Sequence, residues 1–343
     1  MSAIGPGRPQ GGGGGGGGLL GAGSVDLAAA LAELRERGDT DEAHLVGLLE
    51  QAVADTYRRL VPDDGGVEAR VDLLTGNFEL VRPDPEDGTK LIHVETPAND
   101  FARQAATAAR SAVAGLIRDV EADRVLREAV ARRGELVDAI VERQDGPLTW
   151  LMAGRLPVLL PPEEQIPGEQ FERGKHLKIV VVDARRRGRD AVAVGSRSHP
   201  DLLRRLLEGE VPELASGQVG IRALAREPGK RSKVAVEATQ PGIDPVGACI
   251  GPRGVRIRAV VGELGEEQVQ VIAYSPDDAT YVANSLQPAT VRKVELDEES
   301  HTAHVVVPAN QLSLAIGRSG ENARLAARLT RWRIDIEGEG EAQ

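Results

Sequence analysis

Apolar residues recur along the chain at two different periods, and the places where the period changes divide it. Leu27, Leu31 and Leu34 fall at helical spacing, as do Leu45, Leu48, Leu49 and Val53, with Gly38 and Asp39 breaking the run between them. This predicts two helices over 25–60. The period then drops to two, which predicts strands over 67–74, 77–82 and 90–95, with Thr75, Gly76 and Asn77 as a hairpin turn. Pro97 opens a long stretch rich in Ala and Arg that reads as one helix to about Arg133. Residues 24–134 are therefore expected to form an α+β domain.

Short apolar runs separated by Gly, Pro and charge follow over 135–196. They predict strands at 136–142, 148–153, 156–160, 176–183 and 190–195. Five short strands in so few residues suit a small OB-type barrel.

The rear of the chain holds an internal repeat. Its first copy, 197–276, starts with a helix at 200–208 that carries Leu202, Leu203, Leu206 and Leu207. Strands at 219–225 and 233–238, a helix at 245–250, the loop Gly251-Pro252-Arg253-Gly254, a second helix and a strand at 269–273 follow. The second copy, 277–338, has the same order. It runs through a helix at 278–286, strands at 290–296 and 304–307, a helix at 309–316, the loop Gly317-Arg318-Ser319-Gly320, a helix at 321–329 and a strand at 332–336. The order α-β-β-α-α-β occurs twice, with the two loops 66 residues apart (251 to 317). Outside these blocks lie a tail at 1–23, expected to be disordered because Gly11 to Gly18 are one run of glycine, and a short tail at 339–343. The expected class is α+β and multidomain.

Composition sharpens this picture. Aromatic residues make up 2% of the 343, so the cores must be packed with Val, Leu, Ile and Ala. No apolar run is long enough for a membrane span, and the N-terminus lacks the basic and apolar regions of a signal peptide. Cys249 is the one cysteine, so no intrachain disulfide can form. A cytoplasmic protein, expected to be a monomer, fits these features.

The net charge of −11 argues at first against a nucleic-acid partner, but it is unevenly placed. Residues 1–134 hold 15 basic and 22 acidic side chains, a net of −7, whereas 197–293 hold 13 and 12, a net of +1. The acid sits mostly at the front. Solvated surface charge explains the pattern equally well.

The two repeated loops carry the clearest chemistry. G-x-x-G between two helices is the loop with which a KH module clamps single-stranded nucleic acid. Glycines let the main chain approach phosphate, the next helix presents free N–H groups, and a basic middle residue adds a charge-assisted contact. Arg253 and Arg318 supply that charge. Two further matches, Gly217 to Gly220 and Gly262 to Gly265, have no basic middle residue and are not expected between helices. The candidate RNA-contacting residues are Gly251, Pro252, Arg253, Gly254, Gly317, Arg318, Ser319 and Gly320. Beside the first loop stand Arg231 and Lys233, which flank a strand. Arg256 and Arg258 follow that loop two apart on a helix, so only one of them faces RNA. Asn322 and Arg324 follow the second loop on the same logic.

Other residues read more simply. Cys249 is expected to be a small buried hydrophobe, and His199 before Pro200 a turn or cap residue. No phosphate loop of the form G-x-x-x-x-G-K-[ST] and no His/Cys cluster at metal-ligand spacing occurs in the sequence. No catalytic residue, metal or cofactor is expected.

The stretch from Gln311 to Ala326, Q-L-S-L-A-I-G-R-S-G-E-N-A-R-L-A, resembles the second KH module of the NusA family of bacterial transcription factors. D-P-V-G-A-C-I-G from Asp244 resembles the first. S-R-S-H-P from Ser196 and R-E-P-G-K-R-S-K-V-A-V from Arg226 also look like family segments. The resemblance covers about 196–336, and extends more loosely to the barrel and the front domain. It implies a non-enzymatic factor for elongation, termination and antitermination. Such a factor docks on the RNA polymerase core with its front domain, holds nascent single-stranded RNA on its barrel and KH modules, and meets other antitermination factors. In the barrel only Trp150 and Phe171 could stack a base. Two rivals stay open: an RNA-processing enzyme, against which the missing catalytic domain and the placing of barrel before KH both speak, and a ribosome-associated RNA-binding protein.

Overall fold

The computed structural model describes residues 17–18 and 42–339, except 63, 65, 74, 76, 98, 99 and 266. The expected helix around Leu27 to Leu34, the glycine of the Thr75–Asn77 turn and most of the Gly-rich tail lie outside the described residues. Two glycines of that tail, Gly17–Gly18 (β1), pair with a strand.

The described residues divide into two compact units, one up to Arg124 together with Arg187–Asp190 and the other holding the rest, so that the last turns of the long helix Phe101–Ala131 belong to the second. In the first, α1 (Glu42–Leu60) and α2 (Phe101–Ala131) pack on a sheet of β1, β2 (Glu68–Asp72), β3 (Asn77–Pro83) and β4 (Leu91–His93). Strand β3 is the hub: β2 runs antiparallel along it, and β1 and β4 pair with its two ends. Leu45, Leu49, Val53 and Tyr57 recur every four residues on α1 and meet Phe78 and Leu80 of β3 and Phe101 and Ala105 of α2. Phe101 sits edge-on to both Tyr57 and Phe78, at 6.2 and 5.7 Å between centroids, so this core absorbs three of the scarce aromatic rings.

The second unit begins with a closed five-stranded barrel, in the order β5 (Leu136–Asp145), β6 (Leu148–Ala153), β7 (Leu156–Leu160), β9 (Asp190–Ser196), β8 (His176–Arg187). Thr149, Leu151 and Ala153 alternate inward along β6. Gly195 is required by close approach: a Cβ there would lie 2.6 Å from Ile179 Cδ1 and 2.8 Å from Val158 Cγ1.

Two α-β-β-α-α-β modules follow, in the predicted order. The first has α3 (Pro200–Glu210), a one-turn α4 (Pro212–Ala215), β10 (Val219–Glu227), β11 (Arg231–Ala238), α5 (Pro245–Ile250), α6 (Val255–Leu264) and β12 (Gln268–Ala273). The second has α7 (Asp278–Ser285), β13 (Lys293–Asp297), β14 (Thr302–Val307), α8 (Leu312–Ile316), α9 (Glu321–Thr330) and β15 (Arg333–Gly338). Each sheet joins its first two strands antiparallel and its last two parallel. His199 caps α3 by accepting from the Asp201 N–H, and Pro200 supplies the first turn. Leu202, Leu203, Leu206 and Leu207 are all buried with Val234, Val236 and Cys249. Burial pushes the Cys249 thiol up to about 11, which leaves it an inert part of the core.

The modules share a third core. Ala225, Ala235 and Ile272 of the first sheet pack on Tyr281, Leu325 and Leu329 of the second module's helices. Among the described residues, no helix is long and apolar enough to cross a membrane.

Candidate nucleic-acid interface

The two Gly loops adopt nearly the same backbone. Gly251, Arg253 and Gly254 have φ of 73, 54 and 73°, and Gly317, Ser319 and Gly320 have 76, 53 and 72°. Three residues of positive φ in four turn the chain sharply enough to separate α5 from α6, and α8 from α9. Only the glycines adopt this without strain, which is why they bracket each loop.

The first glycine of each loop has a second duty. A Cβ on Gly251 would lie 2.7 Å from Arg256 Cγ, and one on Gly317 2.8 Å from the Asn322 backbone nitrogen. Arg256 and Asn322 occupy matching places, five residues after that glycine, and both reach back to the preceding helix. Arg256 Nη1 donates to the Ala248 carbonyl at 2.7 Å, and Asn322 Nδ2 donates to the Ala315 carbonyl at 2.9 Å. These two side chains brace the loops from behind.

Helices α6 and α9 both start at a glycine with no side-chain cap. The first N–H of each, on Val255 and Glu321, is turned back on the Pro252 and Arg318 carbonyls, and the positive end of the helix dipole lies beside the exposed loop, where it favours an anion. Arg253, Arg258 and Arg318 are exposed around them. Exposed Ile250 and Val255 flank the first loop, and exposed Leu314 and Ile316 stand just before the second. Such aliphatic surfaces offer a contact for the face of a base. Sequence reasoning missed these four residues, although an Ile directly before both loops was the available signal.

Two expected contacts, Lys233 and Asn322, are corrected, and three others are engaged by neighbouring side chains. Lys233 is fully buried, and its Nζ donates to Gln270 Oε1 and to the Gln287 carbonyl of the second module. Burial, with Arg231 nearby, lowers its pKa to about 7. Asn322 is fully buried in its bracing role. Neither can touch a strand laid on the surface. Arg256 is half-buried and held by Glu213 at 2.8 Å. Arg324 is bound to Glu227 of the first module at 2.6 and 3.0 Å. Arg231 is half-buried and donates to Gln268 Oε1. In the barrel, Phe171 belongs to the core, and the guanidinium of Arg143 lies 4.6 Å from the centroid of the Trp150 ring. The two other G-x-x-G matches fall elsewhere: Gly217 is in the turn before β10, and Gly265 ends α6.

A second group of charges was not anticipated, because it is structural. Glu267 is fully buried and accepts both arms of Arg226 at 2.9 Å, together with Ser232 Oγ and the Gly229 N–H. Arg197, inside the segment S-R-S-H-P, fastens the barrel to the first module.

Known proteins match this architecture module by module. The model for a NusA-like first KH domain matches residues 197–274, and that for a NusA-like second KH domain matches 278–343. The transcription termination/antitermination protein NusA of Halalkalibacterium halodurans is 40% identical over 80% of this chain and 72% of its own. The NusA of Mycobacterium tuberculosis is 39% identical over 92% of this chain and 94% of its own, and that of Bacillus subtilis 39% identical over 93% and 92%. With relatives so similar over nearly their whole length, and both repeated modules matched in order, the chain belongs to the NusA family of transcription termination/antitermination proteins.

Proposed function

We propose that this protein acts in transcript elongation, termination and antitermination by holding nascent single-stranded RNA on its two Gly loops while residues 24–134 dock on the RNA polymerase core. One observation carries the RNA part. Two loops of matching left-handed backbone, each at an uncapped helix start with an exposed arginine, stand on modules fused by a shared core. Phosphates would meet the backbone N–H groups, Arg253, Arg258 and Arg318. Bases would rest on Ile250, Val255, Leu314 and Ile316 in place of aromatic rings. Polymerase docking rests on the family relationship, as does a cytoplasmic setting.

Two measurements test this reading. Binding of the full chain to single-stranded RNA is followed by fluorescence anisotropy for Gly251→Asp, Gly317→Asp and the double variant. One continuous strand predicts that each single variant weakens binding and that the double variant weakens it by at least the product of the two losses, whereas two separate sites would leave each single variant with the affinity of its untouched site. The full chain is also used as bait in a lysate treated with RNase. Recovery of core RNA polymerase supports the docking, whereas recovery of ribosomal subunits, or of nothing, refutes it.

A further inference from the structure

We propose that Glu227, on the first KH module, is a positioning residue for RNA held by the second: it sets the loop at Gly317–Gly320 through Arg324. The inference rests on the RNA-holding reading above. Glu227 ends β10, and its side chain is only 12% exposed. Arg324 Nε and Nη2 donate to its two oxygens at 2.6 and 3.0 Å, the fork-to-fork geometry that fixes a guanidinium in orientation as well as in place. The remaining arm, Nη1, donates to the Ser319 carbonyl at 3.3 Å. Ser319 is the one non-glycine residue of that loop with positive φ, so this bond holds the residue with the least intrinsic preference for its conformation. Arg328 Nη1 approaches the same carboxylate at 3.7 Å, and Arg324 keeps the Glu227 carboxyl below the usual carboxylate range, so the anchor stays charged.

Among the described residues, the first loop has no such anchor from the other module: its brace, Arg256, is held by Glu213 of its own module. Arg258 stands where Arg324 stands, seven residues after the first glycine in both repeats. It makes no ion pair with the described residues, and its guanidinium lies over Gly254 instead, with Nη1 at 2.9 Å from where a Cβ would be. The same repeat position thus offers a free cation to phosphate in one module and a brace in the other. The second loop depends on the first module, and among the described residues the first loop has no corresponding bond to the second. Loop geometry, and with it the grip on RNA, is coupled in one direction across the seam.

The test is a double-mutant cycle on the full chain, read by anisotropy with a single-stranded RNA across a salt series. Glu227→Gln is expected to weaken binding about tenfold, the size of one lost charge-assisted contact, with the salt slope unchanged. In a Gly320→Asp background it should cause no further loss, and in a Gly254→Asp background its full loss. Thermal unfolding checks that each variant is folded. If Glu227→Gln instead tightens binding and steepens the salt slope by roughly 0.7, one more phosphate contact on a single strand, Glu227 was withholding Arg324 from RNA and the positioning role is overturned. An undiminished loss in the Gly320→Asp background also overturns it. Wild-type binding with an indifferent Glu227→Gln sinks this inference alone, whereas absence of any wild-type RNA binding sinks the RNA-holding reading with it.

Discussion

Arg197 donates to both carboxylate oxygens of Glu169, at 2.8 and 2.7 Å, from a position that is only 1% exposed. Its other contacts reach the Lys178 carbonyl in the barrel and both the side chain and the carbonyl of Glu263 at the end of α6. A cation this deep is tolerated because every nitrogen of the guanidinium has an acceptor.

Replacing it leaves those acceptors without their cation. Arg197→Met is expected to destabilise the protein by about 3 kcal/mol, since removing one partner of a buried pair strands the other. Arg58→Ala, which breaks the exposed pair with Asp55, should cost about 0.5 kcal/mol or less. Urea unfolding of the two variants beside wild type measures the contrast, and equal effects would refute the structural role of Arg197.

The glycines of the loops should differ in tolerance. Gly317→Ala meets backbone at 2.8 Å as well as an unfavourable φ, whereas a Cβ on Gly320 meets nothing within 4 Å and bears only the conformational cost, about 1 kcal/mol. Melting temperatures should therefore fall clearly further for Gly317→Ala than for Gly320→Ala.

Arg253 and Arg318 are exposed charges beside the loops. If each meets one phosphate, Arg253→Ala and Arg318→Ala each lower the slope of log affinity against log salt by about 0.7 for a single strand. Their stability should be unchanged. A loss of affinity at constant slope would assign them to something other than phosphate.

Lys233 gives a pH signature. Its pKa falls from 10.5 to about 7 on folding, through burial first and Arg231 second. Between those values the unfolded chain binds more protons than the native one, so this group makes stability rise with pH from about 7 to about 10.5. Below 7 both states are protonated and its contribution is flat. The unfolding free energy of wild type minus that of Lys233→Met should therefore climb across this window. A pH-independent difference would show that the ammonium is not strained by burial.

Much of the fold is written in local pattern. The spacing of Leu202, Leu203, Leu206 and Leu207 gave α3, and the repeated element order with its Gly loops located both modules. What local pattern could not reveal is which surfaces a neighbouring module covers. Lys233 and Arg231 stand two apart on one strand, on the same face, yet Lys233 is sealed by a carbonyl 54 residues away. Arg258 and Arg324 look interchangeable in the repeat, and only the carboxylate of Glu227, 97 residues before Arg324, separates their fates. Asn322 reads as a surface amide until Gly317 is seen to lie against it. The loop cations Arg253 and Arg318 are exposed, as local pattern leads one to expect where no second module intervenes.

The scarcity of aromatic rings leaves the chain with just two tryptophans, Trp150 in the barrel and Trp332 in the second module, where it stacks on His301 at 4.1 Å. The protein thus carries its own optical labels, one at each end of the second compact unit. A Trp150→Phe variant would leave emission that reports only on the second module. The order in which barrel and module come apart could then be watched by intrinsic fluorescence, without attaching a dye.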